Sequence, residues 1–285
     1  MKRLNIYVLM MVLTTFLFSC EEELKVESLL NSEELEAAES EAAMDEISDE
    51  VDEIVYFSSE YFADNGRIAD DENSPIHCAE RFHDAINKII TVDFGINGCN
   101  DRHGRDRKGK IIITYTDPLY IPGAVLTVTF ENFFFRGVRI NGQRVITNIS
   151  ESLDYNLLFN ITFEGTFTWD DGSESTRRAH WVVERIRTPN PINDEKHVNG
   201  EAAGTTKNGT EYTVEITETI VFKRSCGPFN VFIPVQGVKV YTWGTNEKTI
   251  DYGDGECDRL VTITINGETE EIELQGRFQF RKDGN

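Results

Sequence analysis

The chain has 285 residues, with 50 Asp and Glu against 28 Lys and Arg, for a formal net charge of −22. Once the leader identified below is removed, the remainder is long enough for one large β domain or two small ones with a real core. So acidic a balance excludes a general nucleic-acid binder, which needs a basic footprint to displace counterions.

Met1-Lys2-Arg3 is a charged start, and Ile6 to Phe18 is an apolar run broken only by Thr14 and Thr15. The run is short for a membrane span and suited to the apolar stretch of an export signal. It closes on Leu17-Phe18-Ser19-Cys20, which resembles the lipobox of bacterial lipoproteins, although Phe18 is bulkier than the usual occupant. The expectation is a signal peptide over 1–19 and acylation of Cys20, hence a membrane anchor. No other segment is long and apolar enough to span a bilayer.

Residues 21–53 hold 15 acids and one Lys. Few large apolar residues occur there, so the segment reads as an acidic tether over 20–53, with transient helix over Ser32–Glu46. Ile47, Val51, Ile54 and Val55 fall at helical spacing, which predicts a short helix reaching about Tyr61 and a loop to residue 75. The cluster Glu21-Glu22-Glu23 resembles the surface-export signal of Bacteroidetes lipoproteins and implies an outer-membrane protein exposed at the cell surface.

From residue 76 to 285 the pattern is strand-like. Leu126, Val128 and Phe130 alternate with Thr127 and Thr129; Tyr212, Val214, Ile216, Ile220 and Phe222 share a face; Val261, Ile263 and Ile265 alternate with Thr262 and Thr264. Period two with β-branched and aromatic enrichment is the strand signature. Asn141-Gly142, Asp171-Gly172, Asn208-Gly209 and Asn266-Gly267 read as tight hairpin turns. The fold class is therefore all-β, an antiparallel meander of long strands forming either an extended twisted sheet or a sandwich. Tyr155–Trp169 and Thr210–Lys223 are long enough to require bending, and Gly165 is a bulge candidate.

Four cysteines besides Cys20 suit an oxidising compartment and two disulfides. Val92-Asp93-Phe94-Gly95 leading to Cys99 is echoed by Ile250-Asp251-Tyr252-Gly253 leading to Cys257. Of three possible connectivities, the echo favours Cys78–Cys99 and Cys226–Cys257; four reduced thiols are the other reading. The same stretches, with Arg105-Asp106-Arg107-Lys108-Gly109-Lys110, Thr127-Val128-Thr129-Phe130 and the intact Asp251–Asp258 motif, resemble a poorly characterised family of β-rich Bacteroidetes lipoproteins. His103 stands where that family has Asp. The resemblance implies a lipid-anchored β protein and no particular activity.

Several residues invite chemistry. Asp251, Asp254, Glu256 and Asp258 near two glycines could offer oxygens to calcium, without EF-hand spacing. Arg102, Arg105, Arg107, Lys108 and Lys110 could contact phosphate, or the acidic tether of the same chain, or simply be a solvated hairpin. His77, Cys78 and His83 do not converge on one tetrahedral metal on either a helix or a strand. Trp169, Trp181 and Trp243 could stack on a sugar, though aromatics in sheets are more often core. No nucleophile–base pair, phosphate loop or metal-protease motif appears. The reading is a non-catalytic structural or binding module with no cofactor, whose partners are the membrane and either a glycan or another envelope protein. The alternative is a glycan-capturing or glycan-processing component of a polysaccharide-utilisation system.

Overall fold

The computed structural model describes residues 32–63, 74–101, 104–153, 156–227, 233–258 and 260–273. Cys20, Arg102 and His103 lie outside the described residues, as does the expected loop over 64–73.

Among the described residues one α-helix, α1 (Ser32–Phe62), precedes fourteen strands. These are β1 (Glu80–Asp84), β2 (Ile89–Asp93), β3 (Cys99–Asn100), β4 (Asp106–Tyr115), β5 (Val125–Phe135), β6 (Val138–Asn148), β7 (Leu157–Thr168), β8 (Glu174–Ile186), β9 (Glu195–Thr205), β10 (Glu211–Lys223), β11 (Ile233–Trp243), β12 (Asn246–Asp254), β13 (Leu260–Ile265) and β14 (Glu268–Glu273). They form a single antiparallel meander in chain order, with β3 pairing only with β4. No pairing joins β1 to β14 among the described residues, so the sheet is open, and of the two architectures expected it is the single extended sheet. The two disulfides are Cys78–Cys99 and Cys226–Cys257.

The faces follow the period-two pattern. Leu126 and Val128, Tyr212 and Val214, and Val261, Ile263 and Ile265 are buried. The opposite face carries threonines, some joined across strands: Thr176–Thr205 at 2.9 Å, Thr213–Thr242 at 2.8 Å and Thr264–Thr269 at 2.9 Å between hydroxyls. Phe130 departs from the pattern because the β5 register shifts between Thr129 and Phe133.

The inner face is covered by α1. Met44, Ile47, Val51, Ile54 and Val55 of the helix join residues of β2 through β13 in one core cluster. A helix is only about 10–12 Å across, whereas thirteen strands laid flat span roughly 60 Å. One helix can bury so many strands only if the sheet curls around it. The helix crosses the sheet obliquely. Glu41 meets Lys239 of β11 and Lys248 of β12, and Phe62 packs on His83 of β1 with ring centroids 5.0 Å apart.

Three local expectations are corrected. The helix is continuous through residues 53 and 54, and the chain from Ser40 to Glu60 is largely buried or half-buried, so residues 40–53 of the expected tether are not solvated; residues 20–31 lie outside the described residues. Asn141-Gly142 is not a turn but the middle of β6; the turn is Arg136-Gly137, both at positive φ (48° and 82°). Gly165 is not a bulge. It faces Gly142 in an unbroken β6–β7 register, where the strands approach too closely for a Cβ on either residue.

That approach gives a prediction. A Cβ at residue 142 would lie 2.3 Å from the Glu164 carbonyl oxygen, and one at residue 165 would lie 2.2 Å from that of Asn141. Both obstacles are backbone, so Gly142→Ala or Gly165→Ala should cost about 2 kcal/mol or more. Gly172→Ala, with open space around its Cβ, should cost only the left-handed backbone penalty of about 1 kcal/mol. Urea midpoints for the three variants check the ranking.

Candidate functional site: an ionic seat for the N-terminal helix

The expected basic run resolves into two groups. Arg105 and Arg107 point inward and meet Glu50 of α1, at 2.9 Å and 2.5 Å, and also Asp101. Arg107 is fully buried. Lys110 pairs with Asp93 at 3.1 Å, and Lys108 lies over the Phe134 ring. Arg105 and Arg107 therefore contact the acidic segment of their own chain rather than standing free for phosphate.

This contact is one rung of a longer ladder. Asp45 pairs with Arg177 of β8 at 2.5 Å and with Lys239 of β11. Asp49 meets Lys196 of β9 at 3.3 Å, Asp52 meets Arg144 of β6 at 2.5 Å, and Glu53 meets Arg185 of β8 at 2.8 Å. Glu41 lies 3.4 Å from Lys239 and 3.3 Å from Lys248, while Glu60 reaches Arg187 at 3.8 Å. From Glu41 through Asp45, Asp49 and Glu53 the helix acids recur every four residues, and the sheet presents a cation to each.

Those cations sit among apolar neighbours. Arg185 covers the Tyr56 ring at 3.9 Å, Lys196 the Phe222 ring at 4.2 Å and Lys248 the Tyr241 ring at 5.1 Å. Their stems pack as hydrocarbon while their heads take the helix carboxylates. Each stands in the inward register of its strand: Arg107 with Ile111 and Ile113, Arg144 with Ile140 and Ile146, Arg177 with Ala179 and Trp181, Lys239 with Tyr241 and Trp243. A cation repeatedly occupying the apolar parity of a strand was the sequence signal that an acidic partner lies inside.

The electrostatics follow from burial opposed by pairing. Burial pushes the Asp45 carboxyl up, but Lys239 and Arg177 more than reverse this and hold it well below the usual carboxylate range. Burial pulls the Lys239 ammonium down, and Asp45 and Glu41 drive it well above its ordinary value. Asp52 goes the other way: burial raises it, only partly offset by Arg144. Between helix and sheet, Asp49, Asp52, Lys196 and Tyr252 line a cavity of about 50 Å³, large and polar enough for a few waters and too small for a substrate.

Burial also raises the phenols of Tyr212 and Tyr252 to about 12, with Arg177 and Lys239 respectively pulling back in part. Both are ordinarily near 10.0. The unfolded chain thus releases these protons first, so the stability they contribute is intact below pH 10 and is lost as pH rises from 10 to about 12. Near-UV phenolate absorbance of the two tyrosines should appear together with loss of β circular dichroism in that window. Complete ionisation at about pH 10.5 with the fold unchanged would contradict their burial.

The remaining candidates do not gather. Asp251, Asp254 and Asp258 each accept a hydrogen bond from the backbone N–H two residues on, at 2.9, 3.4 and 3.0 Å. Among the described residues no group of three or more His, Cys, Asp and Glu is arranged to hold a metal. His83 bonds the Tyr115 hydroxyl at 2.6 Å, and His77 is exposed. The tryptophans make no sugar platform. Trp181 and Trp243 are in the core, the latter with its ring centroid 4.8 Å from that of Tyr241 in a tilted pair, and half-buried Trp169 donates its indole N–H to Ser175 Oγ at 2.8 Å. Inward-facing aromatics pack against α1 because that is where the sheet buries its apolar face.

No protein-family model, no curated protein and no solved structure matches the chain.

Proposed function

We propose that the protein is a lipid-anchored envelope protein, exposed at the outer-membrane surface, whose β body is a non-catalytic structural or binding module. The anchor is supported by the leader-like residues 1–19 and Cys20, and by two disulfides that suit an oxidising compartment. The observation that carries the non-catalytic reading is the use of the inner face. Arg107, Arg144, Arg177, Arg185, Lys196, Lys239 and Lys248 are committed to the chain's own helix, and the cavity beside Asp49 and Lys196 holds about 50 Å³. Structural ion-pair networks perturb ionisation as active sites do, and here the shifted Asp45 and Lys239 face partners from the same chain.

The tether is shorter than composition suggests. Helix α1 begins twelve residues beyond Cys20, so the chain between them can span about 40 Å at most. The β body is thus held near the bilayer. Mass spectrometry of the mature protein should find acyl chains on Cys20, and Cys20→Ala should move the protein from the membrane to the soluble fraction. An alanine variant that stays membrane-bound would sink the anchor.

Capture of a glycan is the second reading. It is favoured by a broad concavity on the solvent face of β6–β11, floored by Thr162, Thr176, His180, Glu201, Thr213 and Glu215. This lining can hydrogen-bond hydroxyls. A chain of residues 21–285 applied to a glycan array tests it, and reproducible binding lost on Glu201→Ala would favour this reading.

A further inference from the structure

We infer that the body is mounted with its short-turn end toward the bilayer and its long-loop end, bearing Ile149, Leu153 and Ile192, directed away from it. This rests on the lipid anchor proposed above. The geometry lies in the polarity of α1 and in the difference between the two ends of the sheet.

In a meander, alternate connections lie at opposite ends. One end carries the connections 136–137, 169–173, 206–210, 244–245 and 266–267, together with the segment 94–98 pinned by Cys99. The other carries 85–88, 116–124, 149–153, 187–194 and 255–258. The short turns are built for tight reversal, as Arg136-Gly137 and Asn266-Gly267 show with positive φ at both positions. The opposite end carries most of the exposed large apolar side chains: Ile86, Ile149, Leu153 and Ile192 in its loops and Leu260 at the start of β13, with Leu153 71% and Ile86 93% exposed. On the short-turn end the corresponding residue is Ile96.

The helix runs from the first end to the second. Glu46 pairs with Arg136 in the 136–137 turn at 3.3 Å, and Glu50 pairs with Arg105 and Arg107 at the start of β4. Later in the helix, Glu53 meets Arg185 near the end of β8, and Glu60 meets Arg187 just beyond it. The N-terminus of α1 therefore leaves at the short-turn end, near β11 and β12, where Glu41 lies against Lys239 and Lys248. A lipid on Cys20 pulls on that end. The longest strands have 13 residues, so the loop end stands about 40 Å farther along the sheet. Because α1 is locked by buried ion pairs, the chain toward Cys20 leaves the body from one fixed end. The end left free is the one that carries exposed Ile86, Ile149, Leu153 and Ile192.

Two reporters on the full-length lipidated protein test this. Thr245→Cys lies in a short turn and Glu151→Cys in a long loop; both positions are exposed. Each carries the same thiol-reactive fluorophore, in phosphatidylcholine vesicles bearing a headgroup nitroxide quencher. Quenching at residue 245 should exceed that at residue 151 at least about threefold, given the roughly 40 Å between the ends. Equal quenching, or stronger quenching at 151, in protein that sediments with the vesicles would overturn the orientation and leave the anchor standing. Wild-type lipidated protein that sediments no better than the Cys20→Ala form would overturn the anchor reading and the orientation with it.

Discussion

A chain that begins at residue 54 should fail to fold, although composition makes that boundary look safe. It would lack Glu41, Asp45, Asp49, Glu50, Asp52 and Glu53, and so the helix partners of Arg107, Arg144, Arg177, Arg185, Lys196, Lys239 and Lys248. Removing one partner of a buried pair costs about 3–5 kcal/mol, and a whole domain is stable by about 5–15 kcal/mol. Several such losses exceed what the fold holds in reserve. The truncation also strips Met44, Ile47 and Val51 from the core, exposing the inner faces of the central strands. Far-UV circular dichroism and a urea titration should show no cooperative transition for 54–285, against a clear one for 21–285. A cooperative 54–285 fragment would mean that the helix is an accessory.

The second large effect is at Asp45. One carboxylate answers two buried cations, Arg177 and Lys239, so Asp45→Ala strips Arg177 of its helix carboxylate and leaves Lys239 with Glu41 alone, at 3.4 Å. A loss of about 3–5 kcal/mol is expected. The neighbouring Glu46 provides the contrast on the same helix. Its partner Arg136 is 34% exposed, so Glu46→Ala should cost less than about 1 kcal/mol. Acid should act through the same group. Lys239 and Arg177 hold the Asp45 carboxyl in the folded state well below its ordinary 3.8, so its contribution is present above pH 3.8 and is lost as pH falls further. Urea midpoints for the two variants at neutral pH, and for the wild type between pH 5 and pH 2, measure both. Equal midpoints for the two variants would contradict the burial of the Asp45 site.

Most strands were legible from alternation. The runs around Leu126–Val128, Tyr212–Val214 and Val261–Ile265 lie as the period-two pattern predicts, because a half-buried strand has no other way to satisfy its two faces. Three of the four Asn-Gly or Asp-Gly dipeptides lie at turns. Asn141-Gly142 does not, because the glycine there serves a close crossing with Gly165.

The helix seat was not legible by composition, for a physical reason. An acidic segment reads as solvated when water is taken as its only available partner. Here the sheet supplies the counter-charges. The clue lay in parity: Arg144 between Ile140 and Ile146, and Lys239 between Val235 and Tyr241, stand where a strand faces inward. Buried pairs of this kind add little net stability against an apolar alternative. Their effect is selective, since only a helix with carboxylates in this order can seat without stranding a cation.

Hydrogen exchange on α1 in the intact 21–285 chain tests the central claim most directly. If the helix is the core around which the sheet curls, the amides of residues 44–58 exchange only with global unfolding, at the same free energy as those of β7 and β8. If those amides exchange within seconds while β7 and β8 stay protected, the acidic segment is a tether after all and the ionic seat does not exist.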